Sequence, residues 1–267
     1  MTQNYFLFVQ WLRRDLAGRY RGAWLGSSWP VLQPLLQIAV FTLVFYEFMR
    51  LRWPSVIPDQ PASDSAWIYA VNVLAGLCVF NFFSEVIGRS PTSILAQPNL
   101  VTKVRFPLSV LPMVTTASAT VHLLAGGLAL WLAGAWSNGL TTSFWLVPLW
   151  FALWLVPVVI YGMGVALLLS GLGVFVRDIQ QIVPAALSLL MFLTPIFYPL
   201  SAIPQNLQTL FSLNPIAWAA ESLRAVSLGQ AGLDLTDWVV QSAAAGALFT
   251  AGWLSFQRLR RGFSDVL

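Results

Sequence analysis

Few side chains in this sequence could carry out chemistry, and several of them stand alone. Lys103 is the sole lysine in 267 residues. A phosphate-binding loop needs its lysine after Gly-x-x-x-x-Gly and before Ser or Thr, so that the ammonium reaches the β- and γ-phosphates. Lys103 follows Thr102 and precedes Val104, which excludes a conventional P-loop ATPase; any use of ATP falls to a partner. His122 is the sole histidine and Cys78 the sole cysteine, so a multi-histidine metal site and an intramolecular disulfide are excluded as well. The densest chemistry is basic. Arg13, Arg14, Arg19 and Arg21 cluster near the N-terminus, and guanidinium forks match phosphate oxygens.

The rest of the composition says where such groups must operate. Apolar residues make up 58% of the chain and charged residues only 9%, against about 25% in a soluble protein. Residues 106–176, 179–220 and 22–46 contain no Asp, Glu, Lys or Arg. One membrane-spanning helix needs about 20 such residues, so the chain is an all-α polytopic membrane protein. The net charge of +4 is spread over several loops, which gives no support to nucleic-acid binding.

The periodicity predicts the elements. Tyr5, Phe8, Val9, Leu12 and Leu16 form a helical stripe over 4–17, too short to span, and predict an amphipathic helix along the membrane interface. Trp24 and Trp29 suit headgroup depth. Spans are predicted at 31–49, 66–87, 110–135, 144–172, 182–199 and 238–257, with Pro184, Pro195 and Pro199 bending or ending the fifth. Six spans put eleven of fourteen basic residues on the side of both termini, which the positive-inside rule makes cytoplasmic. Between spans five and six, segments at 204–213 and 215–228 are too short to cross. They predict a re-entrant pair of periplasmic helices, the second opened by Asn214-Pro215, with Glu221 and Arg224 paired at i, i+3; a folded periplasmic loop is the plainer reading.

Two functional classes lose ground on these spans. A proton- or sodium-driven carrier normally needs an intramembrane carboxylate, whereas Glu47, Glu85 and Glu221 are expected near span ends, within reach of water. An intramembrane serine hydrolase would have to use Ser170, before Gly171, with His122. The rhomboid-type order, serine on a span before the histidine, is reversed here. A lone histidine on an apolar helix is more often a hydrogen-bonded packing group.

The run from Arg14-Asp15 through Arg19-Tyr-Arg-Gly-Ala-Trp-Leu-Gly-Ser-Ser-Trp-Pro-Val-Leu-Gln-Pro34 resembles the N-terminal signature of ATP-binding-cassette polysaccharide-export permeases. Asn99-Leu-Val-Thr-Lys-Val-Arg-Phe-Pro107, Val176-Arg-Asp178, Pro199-Leu-Ser-Ala-Ile-Pro204 with Leu213-Asn-Pro215, and the C-terminal Arg261-Gly-Phe-Ser-Asp-Val-Leu267 agree in order. The resemblance implies one permease domain over 1–267. It implies a homodimer in the bacterial inner membrane and two copies of a cytoplasmic nucleotide-binding subunit that binds ATP and Mg; no cofactor is expected in this chain. The cargo would be lipid-diphosphate-linked polysaccharide of O-antigen or capsule type, with a drug- or lipid-exporting permease of the same superfamily as the alternative. By resemblance, a gate helix matches 19–29, and Arg13, Arg14, Arg19, Arg21 and Trp24 become candidates for receiving the lipid diphosphate. Orientation and anionic-lipid binding, about 1 kcal/mol per residue, is the competing role. A coupling helix matches 91–103, which with the turn after span four makes Gln97, Asn99, Lys103, Arg105, Arg177 and Asp178 the expected ATPase contacts. The outer helices over 204–228 match a periplasmic gate carrying Asn214, Pro215, Glu221 and Arg224. Sugar rings pack on aromatic faces, so Tyr46, Phe192, Phe197 and Tyr198 are candidates for lining the channel, although membrane aromatics more often pack or anchor.

Overall fold

The computed structural model describes residues 2–19, 29–53, 65–103, 106–138, 142–212, 214–227 and 234–266. Every regular element among them is helical: α1 (Thr2–Arg19), α2 (Trp29–Phe41) continued by a π-helix (Thr42–Phe48), α3 (Ala66–Arg89), α4 (Pro98–Thr102), α5 (Val110–Asn138), α6 (Thr142–Phe175), α7 (Ile179–Leu193), α8 (Gln205–Ser212), α9 (Pro215–Ser227), α10 (Leu235–Leu259) and α11 (Phe263–Val266). Among the described residues, four helical stretches are long and apolar enough to cross a membrane: Ala66–Thr92, Val110–Gly134, Trp145–Phe175 and Leu235–Val266. Leu35–Phe48 and Ile179–Leu193 are shorter apolar helices. α6, with 34 residues, extends about 51 Å at 1.5 Å per residue, beyond the roughly 30 Å hydrocarbon layer.

The elements follow from their sequences. Ser65 caps α3 with its side chain toward the Ile68 N–H, and Asp234 accepts from the Thr236 and Asp237 N–H groups at the start of α10. α7 stops at Leu193, six residues before the expected end of span five. Pro195 forces Thr194 into an extended conformation (φ −106°, ψ 135°), as the residue before proline prefers. The π-helix ends at Phe48; Arg50 follows at φ 54°, a left-handed exit that a non-glycine residue seldom adopts.

α3 is the axis of the bundle. Its apolar side chains, including Val71, Val79, Phe82, Phe83 and Val86, are buried against α5, α6 and α9. α9 is equally internal: Ile216, Ala219, Ala220, Leu223 and Val226 belong to the same core. α10 leaves Val239, Val240 and Leu254 more than half exposed and meets the bundle chiefly along α6. Two glycines allow that crossing. A Cβ at Gly252 would lie 2.4 Å from the Gly164 carbonyl oxygen, and one at Gly164 would lie 2.9 Å from Leu248 and Phe249 backbone atoms. Backbone-to-backbone approach at small residues is how membrane helices gain packing without a hydrophobic drive. Gly252→Leu should therefore force α10 away from α6 and cost at least about 1–3 kcal/mol; a thermal-unfolding scan in detergent would read this as a clearly lowered melting temperature.

Candidate functional site

Where α1 meets the bundle, six polar side chains from three helices come together. Asp15 is the hub. It accepts from Arg89 Nη1 at 3.1 Å and Arg89 Nη2 at 2.5 Å, from Arg19 Nη2 at 3.0 Å and Nε at 3.2 Å, and from Ser118 Oγ at 2.7 Å. Glu85, a second acceptor, pairs with Arg19 and lies 3.3 Å from Arg89 Nη1. His122 Nδ1 lies 2.9 Å from Glu85 Oε2 and 3.2 Å from Arg19 Nη1. A protonated Nδ1 donates to the carboxylate, whereas a bare Nδ1 accepts from the guanidinium, so the ring proton selects the contact. Two carboxylates and two guanidiniums cancel in charge. The side chains of Asp15, Glu85 and Arg19 are only 22%, 17% and 18% exposed, so the network is shielded enough to matter, unlike a solvated surface pair.

This knot holds α1 to the bundle through spacing. Trp11, Asp15 and Arg19 recur at i, i+4 on one face of α1, and Glu85 and Arg89 do so on α3. Trp11 adds an edge-on contact to Phe106, with ring centroids 5.8 Å apart. Two cavities flank the knot. One of about 440 Å³ is lined by Trp11, Arg14, Arg89, Ser93 and Gln97 among others. The other, about 330 Å³, opens among α2, α3 and α5. Arg19 borders both.

At the opposite end of α3, a buried cation on α9 organises the packing. Arg224, 3% exposed, donates from Nη1 to Glu221 at 2.8 Å, from Nε to the Asn72 carbonyl at 3.0 Å and from Nη2 to the Ile196 carbonyl at 2.8 Å. Its guanidinium carbon lies 4.5 Å from the centre of the Trp53 ring, a cation–π contact. The Tyr69 hydroxyl donates to the Phe197 carbonyl at 2.7 Å. α9 thus ties α3 to the chain leaving α7. Asn214 caps α9 toward the Ile216 N–H and donates from Nδ2 to Thr194 Oγ1 at 3.2 Å.

The expected site residues distribute as follows. Arg13 and Arg14 lie exposed on α1, Arg14 over the Trp11 ring at 5.0 Å. Arg21, Trp24 and Arg105 lie outside the described residues, as does nearly all of the expected 19–29 helix. The expected 91–103 helix is resolved into a 3₁₀ turn (Ser90–Thr92) and the short α4. Asn99 and Lys103 are exposed, Gln97 half-buried, and Arg177 and Asp178 exposed at the α6–α7 turn. Of the four aromatics, Tyr46 and Phe197 are buried, and Phe197 stacks on Phe45 at 4.8 Å. Phe192 is 63% exposed, and the Tyr198 hydroxyl donates to its carbonyl. Asn214, Glu221 and Arg224 come together at one place; Pro215 opens α9 beside them.

Sequence reasoning missed the roles of Glu85, Arg89 and Ser118, whereas His122 is hydrogen-bonded, as expected of a lone histidine on an apolar helix. Glu85 was expected at a span end in reach of water; its partners are Arg19, Arg89 and His122 instead. The i, i+4 pair Glu85/Arg89 was the available signal. Asp15 turns into the bundle.

The family model for ABC-2 type transporters matches residues 7–228. An O-antigen export system permease protein, RfbA, of Myxococcus xanthus is 30% identical over 267 residues, covering 98% of this chain and 95% of that protein. An RfbA of Klebsiella pneumoniae is 26% identical over 98% of this chain and 95% of its own length. The polysialic acid transport protein KpsM of Escherichia coli is 24% identical over 79% of this chain and 77% of its own. A match through most of its length places the chain in the ABC-2 type transporter membrane family.

Proposed function

We propose that this chain is the membrane subunit of an ATP-driven exporter that moves lipid-diphosphate-linked polysaccharide, of O-antigen or capsule type, across the bacterial inner membrane. The observation carrying this reading is the full-length similarity to O-antigen export permeases. In this reading two copies form the channel, and two copies of a separate nucleotide-binding subunit bind ATP and Mg and supply the work. The chain crosses six times, with α2 and its π-helical continuation as span one and α7 as span five. The α8–α9 pair dips into the outer leaflet, and both termini are cytoplasmic. Two features support that arrangement: α9 is buried against α3 and α6, and the knot and most arginines gather at the α1 end.

The mechanical consequence follows from the contacts. Nucleotide binding by the partner would push on the exposed Asn99 and Thr102 of α4 and on the exposed Arg177-Asp178 turn. α4 sits beside α11, and the 3₁₀ turn before it packs on α6, where a Cβ at Gly173 would meet the Pro91 carbonyl oxygen at 2.3 Å. A contact that close transmits displacement rather than absorbing it. Arg13 and Arg14, exposed on α1, receive the diphosphate, and the exposed Phe192 face of α7 contributes to the channel wall.

Deleting the gene and restoring it with or without its neighbouring ATPase gene tests the reading. The expected outcome is loss of surface polysaccharide with undelivered polymer inside the cell, and rescue only when both genes are present. Normal surface polymer in the deletion strain would refute it. Cysteine labelling should place residue 265 inside and residue 49 outside; labelling of both from one side would overturn the six-span topology.

A further inference from the structure

The 330 Å³ cavity among α2, α3 and α5 is polar at a depth where polarity is costly. It is lined by Gln33, Asn81, Ser84, Glu85 and His122, together with Arg19. Asn81 lies eight residues inside the Arg89 end of α3, and His122 twelve residues into α5, about 12 and 18 Å along the axes. Polar groups at such depth face a substrate pathway or a water-filled cavity. We propose that this cavity is a saccharide subsite, which takes one sugar unit of the passing polymer by hydrogen bonds to its hydroxyls. The inference rests on the polysaccharide-export reading and deepens it.

Three features select a neutral polyol over other ligands. First, the ionic groups at the rim are already matched, since Glu85 pairs with Arg19 and Arg89, and Asp15 with both arginines; a free anion or cation would find no net charge. Second, the remaining lining offers two amides and a hydroxyl, from Gln33, Asn81 and Ser84. These groups both donate and accept, as vicinal hydroxyls do. Asn81 Nδ2 lies 3.3 Å from Gln37 Oε1, which orients that amide while leaving its own oxygen for a ligand. Third, the opposite wall is apolar: Phe82, Leu123, Cys78 and Gly126. A sugar has the same division, hydroxyls at its edge and C–H groups on its faces. Gly126 keeps this wall thin, for a Cβ there would stand 2.5 Å from Cys78 Sγ.

The test uses the permease–ATPase complex in lipid nanodiscs, with Cys78→Ala removing the only native thiol and Ser84→Cys placing a near-isosteric one in the cavity. Three probes are compared: buffer, polyprenyl diphosphate without sugar, and lipid-linked glycan purified from the producing cells. Labelling by a small hydrophilic thiosulfonate should proceed in buffer and slow at least threefold with the glycan but not with the bare diphosphate. Asn81→Leu should raise the glycan concentration for half-maximal ATPase stimulation about tenfold, with Asn81→Gln falling between it and the parent. Failure of Ser84→Cys to label, labelling indifferent to the glycan, or equal slowing by the bare diphosphate would each overturn the subsite. If the glycan fails to stimulate even the parent complex, the export reading fails instead. Should Asn81→Leu not fold, the Ser84→Cys protection decides alone.

Discussion

Replacing Asp15 with Ala should reduce export at least tenfold while leaving the bundle inserted. Asp15 is the one acceptor shared by Arg19, Arg89 and Ser118. Its removal leaves two guanidiniums facing each other across the α1–α3 contact with Glu85 alone to balance them. Removing one member of a buried ion pair costs about 3–5 kcal/mol, and at 22% exposure the lower part of that range applies. The loss falls on the docking of α1, because α3 and α5 remain joined through their apolar core. Hydrogen exchange should show faster exchange over residues 2–19 and little change in α3. Asp15→Glu should recover part of the export. Wild-type export in Asp15→Ala, or exchange rising equally in all helices, would contradict a latch confined to α1.

Arg224→Met should have the second-largest effect, and at the other end of the molecule. The substitution roughly preserves volume but leaves the Asn72 and Ile196 carbonyls without the guanidinium. The stranded Ile196 acceptor costs about 1–3 kcal/mol, and the Asn72 carbonyl, which keeps its helical donor, adds a lost charge-assisted bond, so a loss of about 2–4 kcal/mol is expected, seen as a melting temperature lowered by several degrees. Glu221, 38% exposed on its side chain, can hydrate and limits the damage. Glu221→Leu should cost less than Arg224→Met, since solvent already screens the half-exposed carboxylate and the guanidinium keeps both carbonyls and the Trp53 ring. If both variants melted with the parent, α9 would not be held by this cation.

What was legible in the sequence was what depends on near neighbours. The apolar run predicted for span two, 66–87, became α3 at Ala66–Arg89, and span three became α5 within a few residues. The Asn214-Pro215 signal did open α9, and Glu221 did reach Arg224 one turn away. Contacts across the chain left no such trace. Asp15 meets Ser118 103 residues on, and Arg224 meets the Asn72 carbonyl 152 residues back; nothing in either local pattern names the partner. The aromatic candidates show the same limit. Periodicity gives a residue's face on its helix but not which neighbour covers that face, so Phe197 lies under Phe41 and Phe45 while Phe192 stays exposed. Span five overran its helix because Pro195 acts on Thr194, one residue earlier than the ring itself.

The most direct measurement of the central claim is ATP-dependent movement of lipid-linked glycan into sealed proteoliposomes of defined composition. The account predicts glycan uptake and glycan-stimulated hydrolysis when the chain and its nucleotide-binding partner are both present, and neither when the chain is present alone. Uptake or nucleotide turnover by the chain alone, or a complete complex that hydrolyses ATP without moving glycan, would contradict it.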